Sequence, residues 1–269
     1  EEQTMVSPRT IVKADSDESS LRLAVLIDAD NAQAAVIEGL LAEVARFGEA
    51  TVKRIYGDFT SPQLGSWKNV LQQYAIKPVQ QFAYTTGKNA TDSTMIIDAM
   101  DLLYTRKFDG FCLVTSDSDF TGLAMRIREE GLTVLGFGEQ KTPAAFKNAC
   151  HKFIFTEVLR PSRAKKAPAP KDENAKGSET KKPNAPRKSK PTFPKQFMLD
   201  ALEQSSDDAG WAMLSTFGNY LTKLKPDFDS RNFGYTKLSN LVNAKSALFI
   251  TEERTQPGTN NKQLYVRAK

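Results

Sequence analysis

Phe111-Cys112-Leu113-Val114-Thr115-Ser116-Asp117-Ser118-Asp119-Phe120 runs from an apolar stretch of strand length into two carboxylates one residue apart. Leu123 and Ile127 then repeat at helical spacing, so the segment reads as a buried strand turning directly into a helix. In a parallel α/β sheet, functional groups collect at the carboxyl ends of the strands. A second run, Leu23 to Ile27, ends the same way, in Asp28-Ala29-Asp30-Asn31. Two strands ending in acids place those acids on one edge of one sheet, and an all-oxygen cleft of this kind suits a divalent cation.

Outward from these two strands the pattern alternates. Strands are expected at 23–27, 50–56, 77–82, 111–114, 133–137 and 152–155, and helices at 32–47, 61–74, 91–104, 120–130 and 143–149. Strands separated by helical patterns form βαβ units with right-handed crossovers, which predicts an α/β three-layer sandwich around a mostly parallel sheet. Residues 1–20 are polar and read as a disordered tail without a secretory apolar region. Residues 161–192 are Pro, Ala, Lys and Ser with hardly an apolar side chain, a linker composition. Order returns at 193–269. Helical patterns around Phe197, around Phe217 and over 235–243 precede two strands, 248–252 and 263–267, that flank a turn-rich segment. Three helices followed by a hairpin is the order of a winged helix, a small α+β domain.

The 269 residues, 40% hydrophobic and 26% charged, are enough for two modest domains with real cores. No apolar run approaches the roughly 18 residues of a membrane span, so a cytoplasmic protein with no membrane partner is expected. The two cysteines, Cys112 and Cys150, form no CxxC pair, which argues against a classical zinc site and a disulfide framework. A single histidine, His151, leaves any acid–base or metal chemistry to carboxylates. The net charge of +5 is unevenly spread: residues 160–195 hold twelve Lys/Arg against three acids, leaving the remainder of the chain at −4. Such a basic stripe is the footprint of a polyanion, nucleic acid first, or of a self-repelling linker.

Four acids stand at the expected edge: Asp28, Asp92, Asp117 and Asp119. Carboxylates about 5 Å apart repel by about 3 kcal/mol per pair at an effective dielectric near 20. The group therefore either holds protons or binds a cation, for which Mg²⁺ or Mn²⁺ suits oxygen ligands. The plainer alternative is that each Asp caps a helix, worth about 1 kcal/mol.

Asp28-Ala29-Asp30-Asn31, then Lys88-Asn89-Ala90-Thr91-Asp92 and Thr115-Ser116-Asp117-Ser118-Asp119-Phe120, together resemble the NYN domain, the LabA-like branch of the PIN nuclease superfamily, over about 21–160. The resemblance implies a PIN-like Rossmannoid fold and a metal-dependent endoribonuclease. By position, Asp28, Asp92, Asp117 and Asp119 would be the catalytic, metal-binding acids. Asn31 and Ser116 would support them, and Lys88 would reach a phosphate. Family members often carry Gly where this chain has Ser116 or Ser118.

Residues 193–269 resemble the LOTUS (OST-HTH) domain through the stretch Arg231-Asn232-Phe233-Gly234-Tyr235-Thr236-Lys237-Leu238-Ser239-Asn240-Leu241-Val242. That implies binding of single-stranded or structured RNA, or docking of a protein partner. The candidates are Arg231, Tyr235, Lys237 and Asn240 near the third helix, with Arg254, Lys262 and Arg267 on the wing. Two other functions compete: a non-catalytic RNA-binding scaffold that keeps the acids, and a haloacid-dehalogenase-type phosphatase, because Asp28-Ala29-Asp30 mimics the DxD nucleophile motif. A homodimer is open.

Overall fold

A computed structural model describes residues 20–82, 90–160, 192–255 and 262–269. The N-terminal tail up to residue 19, Lys88, linker residues 161–191 and the wing tip 256–261 lie outside the described residues.

The first domain is built on six parallel strands: β1 (Leu21–Asp28), β2 (Gly48–Gly57), β3 (Lys77–Gln80), β4 (Gly110–Val114), β5 (Thr133–Gly138) and β6 (Lys152–Phe155). Their order across the sheet is β3-β2-β1-β4-β5-β6. The chain winds outward from β1 to one edge, crosses back, and winds from β4 to the other. A topological switch point therefore falls between β1 and β4, where such folds open a crevice.

Leu23 to Ile27 and Phe111 to Leu113 are fully buried, as expected of central parallel strands covered on both faces. Their side chains alternate between two cores. Leu23, Val25, Ile27, Cys112 and Val114 pack with α1 (Ile37–Val44) and α2 (Trp67–Gln73). Ala24, Leu26, Phe111 and Leu113 pack with α3 (Ala90–Tyr104), α4 (Thr121–Glu129) and α5 (Ala144–Ala149). This is the three-layer α/β sandwich expected from the sequence.

Three helices are shorter than their periodicity suggests. The first begins as a 3₁₀ turn at Ala34–Val36, and Phe47 lies beyond the end of α1. The second divides into a 3₁₀ turn at Pro62–Ser66, which contains Gly65, and then α2. In the C-terminal domain the expected 235–243 helix is α8 (Leu238–Ala244), preceded by a 3₁₀ turn at Ser230–Phe233. Gly234 separates them at φ +89°, a left-handed conformation that stops a helix and costs a side-chain-bearing residue energy.

The remainder of that domain is α6 (Lys195–Ser205), β7 (Trp211–Met213), α7 (Leu214–Leu224), β8 (Phe249–Thr255) and β9 (Lys262–Ala268). The strands pair antiparallel in the order β7-β9-β8. Met198, Leu202, Phe217, Leu221, Leu241 and Val266 form its core. Helices packed on an antiparallel sheet match the expected small α+β domain.

The two domains touch. Both guanidinium Nη atoms of Arg231 donate to the Glu43 carboxylate, at 2.8 and 3.1 Å, and Arg46 holds the same carboxylate at 3.0 Å. Lys147 pairs with Asp227 at 3.0 Å, and the Phe153 N–H on β6 donates to the Pro226 carbonyl at 2.9 Å. Among the described residues no helix is long and apolar enough to cross a membrane.

Candidate active site

The acids meet at the switch point. Ile27 is registered against Val114, so Asp28 and Thr115 leave neighbouring strands side by side. Asp28 is completely buried, and both its oxygens are engaged. Its Oδ1 accepts the Asp30 N–H at 3.0 Å; its Oδ2 accepts the Asn31 side-chain amide at 2.7 Å and the Thr115 hydroxyl at 2.9 Å. Burial raises its pKa above the ordinary carboxylate value, opposed by these hydrogen bonds.

Thr115 also accepts the Asp117 N–H at 3.1 Å, so one hydroxyl ties the first acid to the loop carrying the next two. Asp117 Oδ1 accepts the Asp119 N–H at 2.9 Å and caps the 3₁₀ turn Ser118–Phe120. Capping is thus part of the role of Asp117, and it aims the loop. Asp92 enters from the first turn of α3. Oxygens of Asp92, Asp117 and Asp119 lie within 4.8 Å of one another. Three hard oxygen donors at this spacing fit a hard divalent cation better than a thiophilic metal.

Of the four predicted acids, Asp92, Asp117 and Asp119 have oxygens close enough to share one cation, and Asp28, buried and hydrogen-bonded at both oxygens, is the first of the neighbouring charges that raise Asp92. Asn31 donates its side-chain amide to Asp28. Ser116 instead accepts the Glu139 N–H at 2.9 Å and joins the β4 and β5 loops. Sequence reasoning missed Thr115 and Asp30, although both lie inside the quoted motifs. A hydroxyl between an apolar strand and an acid was the available signal. Gly138 at the end of β5 fits the same loop closely: a Cβ there would come 2.5 Å from the Thr115 carbonyl oxygen. Asp98, further along α3, is bound by Tyr56 and Arg54 and takes no part in the cluster.

Thr115→Val is expected to destabilise the protein by about 1–3 kcal/mol, because it leaves a buried carboxylate oxygen without one of its donors. Urea unfolding measures this, and an unchanged midpoint would deny Thr115 its bridging role. In the absence of metal, Asp92 is pushed up to about 6, first by burial and then by the charges of Asp28, Asp117, Asp119 and Asp30. A carboxyl raised in the folded state contributes stability that is complete below its ordinary 3.8 and is lost as pH rises through about 6. Carboxyl-carbon NMR of the metal-free protein should find one aspartate titrating near pH 6; titration of every aspartate below pH 4.5 would refute the coupling.

The residues proposed for RNA or partner contact fall into two groups. Arg231 is committed to Glu43 and Asp229, Tyr235 packs against the C-terminal core, and Asn240 donates to the Thr236 hydroxyl at 2.9 Å. Lys237 is exposed nearby. On the sheet, the Arg254 guanidinium lies 4.7 Å from the Trp211 ring centre and 4.6 Å from that of Tyr265, with Arg267 4.9 Å from Trp211. Lys262 is also there, paired with Glu253 at 3.6 Å.

Among solved structures, an uncharacterized protein of Nitrosomonas europaea is 57% identical over 36% of this chain and 92% of its own, with a TM-score of 0.29. A protein from Chromobacterium violaceum is 29% identical over 29% of this chain and 83% of its own, TM-score 0.24. A protein of unknown function from Vibrio parahaemolyticus is 17% identical over 52% of this chain and 95% of its own, TM-score 0.44. No curated protein matches the chain. The OST-HTH/LOTUS domain model matches residues 190–260, and the NYN domain model matches residues 22–158. With an acid-lined switch point inside the first match and the three C-terminal helices inside the second, the chain belongs to the NYN domain family and carries an OST-HTH/LOTUS domain behind it.

Proposed function

We propose that the chain is a ribonuclease, endonucleolytic in action, that hydrolyses RNA phosphodiester bonds with Mg²⁺ or Mn²⁺ while its C-terminal domain and basic linker retain the substrate. The observation that carries this reading is the convergence of Asp92, Asp117 and Asp119 at the switch point of an NYN domain. NYN domains belong to the nuclease superfamily, and the OST-HTH domain points to RNA.

Asp92, Asp117 and Asp119 would hold a divalent cation, which would supply an acidified water and positive charge to offset that of the phosphoryl group. The chain's own residues do the rest. Asp92, Asp117 and Asp119 present the negative charge that such a cation needs. Asp28, out of solvent and gripped by Asn31 and Thr115, keeps the acidic field fixed and orients the Asp117 loop. Lys88, proposed to touch a phosphate, lies outside the described residues. The phosphatase alternative fits the geometry poorly: its nucleophile would be Asp28, which is buried with both oxygens engaged.

The test is incubation of the purified full chain with labelled single-stranded and structured RNA in Mg²⁺, in Mn²⁺ and in EDTA. Internal cuts that need the metal support the proposal. RNA that is bound but never cut would favour a non-catalytic RNA-binding protein.

A further inference from the structure

On the opposite edge of the sheet from the acids, the junction of the two domains encloses a cleft of about 330 Å³. From the first domain come Arg46, just after α1, and Lys152, which opens β6; from the second come Asn219, Ser230, Arg231 and Lys237. We infer that this cleft is a binding site for a phosphate monoester, closed by donors from both domains.

Lys152 makes the strongest case. Its ammonium is half-buried and lies 5.2 Å from the centre of the Phe47 ring. Among the described residues it forms no ion pair and no hydrogen bond. Burial pushes its pKa down, partly offset by the more distant charges of Asp229 and Glu43. An ammonium kept out of water without an acceptor is unfavourable, and an anion in the cleft would remove that cost.

The local charge also fits. Arg46, Lys152, Arg231 and Lys237 stand against two carboxylates, Asp229 in the wall and Glu43 behind it. The surplus of two positive charges matches a phosphate monoester, which carries about −1.5 to −2 at neutral pH. Lys237, Asn219 and Ser230 have no side-chain hydrogen bond among the described residues. Donors arriving from both walls suit a tetrahedral group with several acceptor oxygens. The monoester could be a free phosphate or nucleotide, or the terminal phosphate of an RNA strand. The site stands whether or not the acidic edge cuts RNA, because it shares no residue with that edge.

The test is calorimetric titration of the full chain with sodium phosphate, chloride holding the ionic strength constant, alongside melting curves. Saturable binding with a Kd of about 1 mM or tighter is expected. Lys152→Met and Lys237→Gln should each weaken it at least about tenfold, whereas Lys77→Met, on the far edge strand β3, should not. Removing an unpaired ammonium strands no partner, so Lys152→Met should melt no lower than wild type in chloride and gain nothing from phosphate. If that variant fails to fold, the exposed Lys237→Gln carries the same test. No saturable binding up to about 50 mM, or equal binding by wild type and both variants, would overturn the site. Adenosine 5′-monophosphate, and RNA with a 5′-phosphate against RNA with a 5′-hydroxyl, then tell a free ligand from a strand end.

Discussion

Asp117→Asn is expected to abolish metal-dependent RNA cleavage while leaving the domain folded. Asn at this position can still accept the Asp119 N–H through its amide oxygen, so the cap on the 3₁₀ turn survives. The negative charge does not survive. At an effective dielectric near 20, one unit charge about 4 Å from another is worth about 4 kcal/mol, and a dication feels more. A loss of about 4 kcal/mol from the transition state corresponds to roughly a thousandfold in kcat/KM. A second readout needs neither metal nor RNA. With one like charge gone, the Asp92 titration near pH 6 should move down toward the ordinary carboxylate range. Cleavage that persists in the variant would show that the activity arises elsewhere. An unmoved Asp92 would show that the two acids do not share a field.

Arg231→Met should produce the largest loss of stability, and its origin lies between the domains. Glu43 is only 4% exposed, and Arg231 meets it with two nitrogens while also holding Asp229. Taking one partner from a buried ion pair leaves an uncompensated charge, typically at a cost of about 3–5 kcal/mol. Arg46 still reaches Glu43, but its side chain is 64% exposed and replaces little of what is lost. The expected outcome is a lower melting temperature with a larger radius of gyration in X-ray scattering, as the second domain leaves its seat. Pairing Glu43→Met with Arg231→Met should recover much of the loss, since no buried charge is then stranded. If Arg231→Met melts and scatters like wild type, the contact contributes nothing to the assembly.

This arginine marks where the sequence was hard to read. From the chain alone Arg231 is a basic residue before a helix in an RNA-binding type of domain, and nothing near it in sequence points to Glu43. Long-range pairs of this kind carry no local signature. β1, β4 and β5 were legible because each is built on an apolar run bounded by polar turns, and Asp117 and Asp119 because they follow such a run. Asp92 was legible only as an acid in the first turn of a helix; its approach to Asp117 is set by the crossover from β3 to β4. The buried, hydrogen-bonded setting of Asp28 was hidden too. It follows from side-chain geometry at Asn31 and Thr115, which spacing does not encode.

The backbone contact between Phe153 and Pro226 has a consequence of another kind. A parallel sheet has two open margins, each a row of amides that another strand could extend. At one margin β3 is four residues long and carries Lys77 and Pro78, a charge and a missing donor that discourage annealing. At the other, β6 is Lys152-Phe153-Ile154-Phe155, apolar enough to recruit a foreign strand. There the Pro226 carbonyl occupies the Phe153 amide. The second domain is therefore also a lid on an adhesive border, and separating it would uncover the stretch of the first domain most prone to self-assembly.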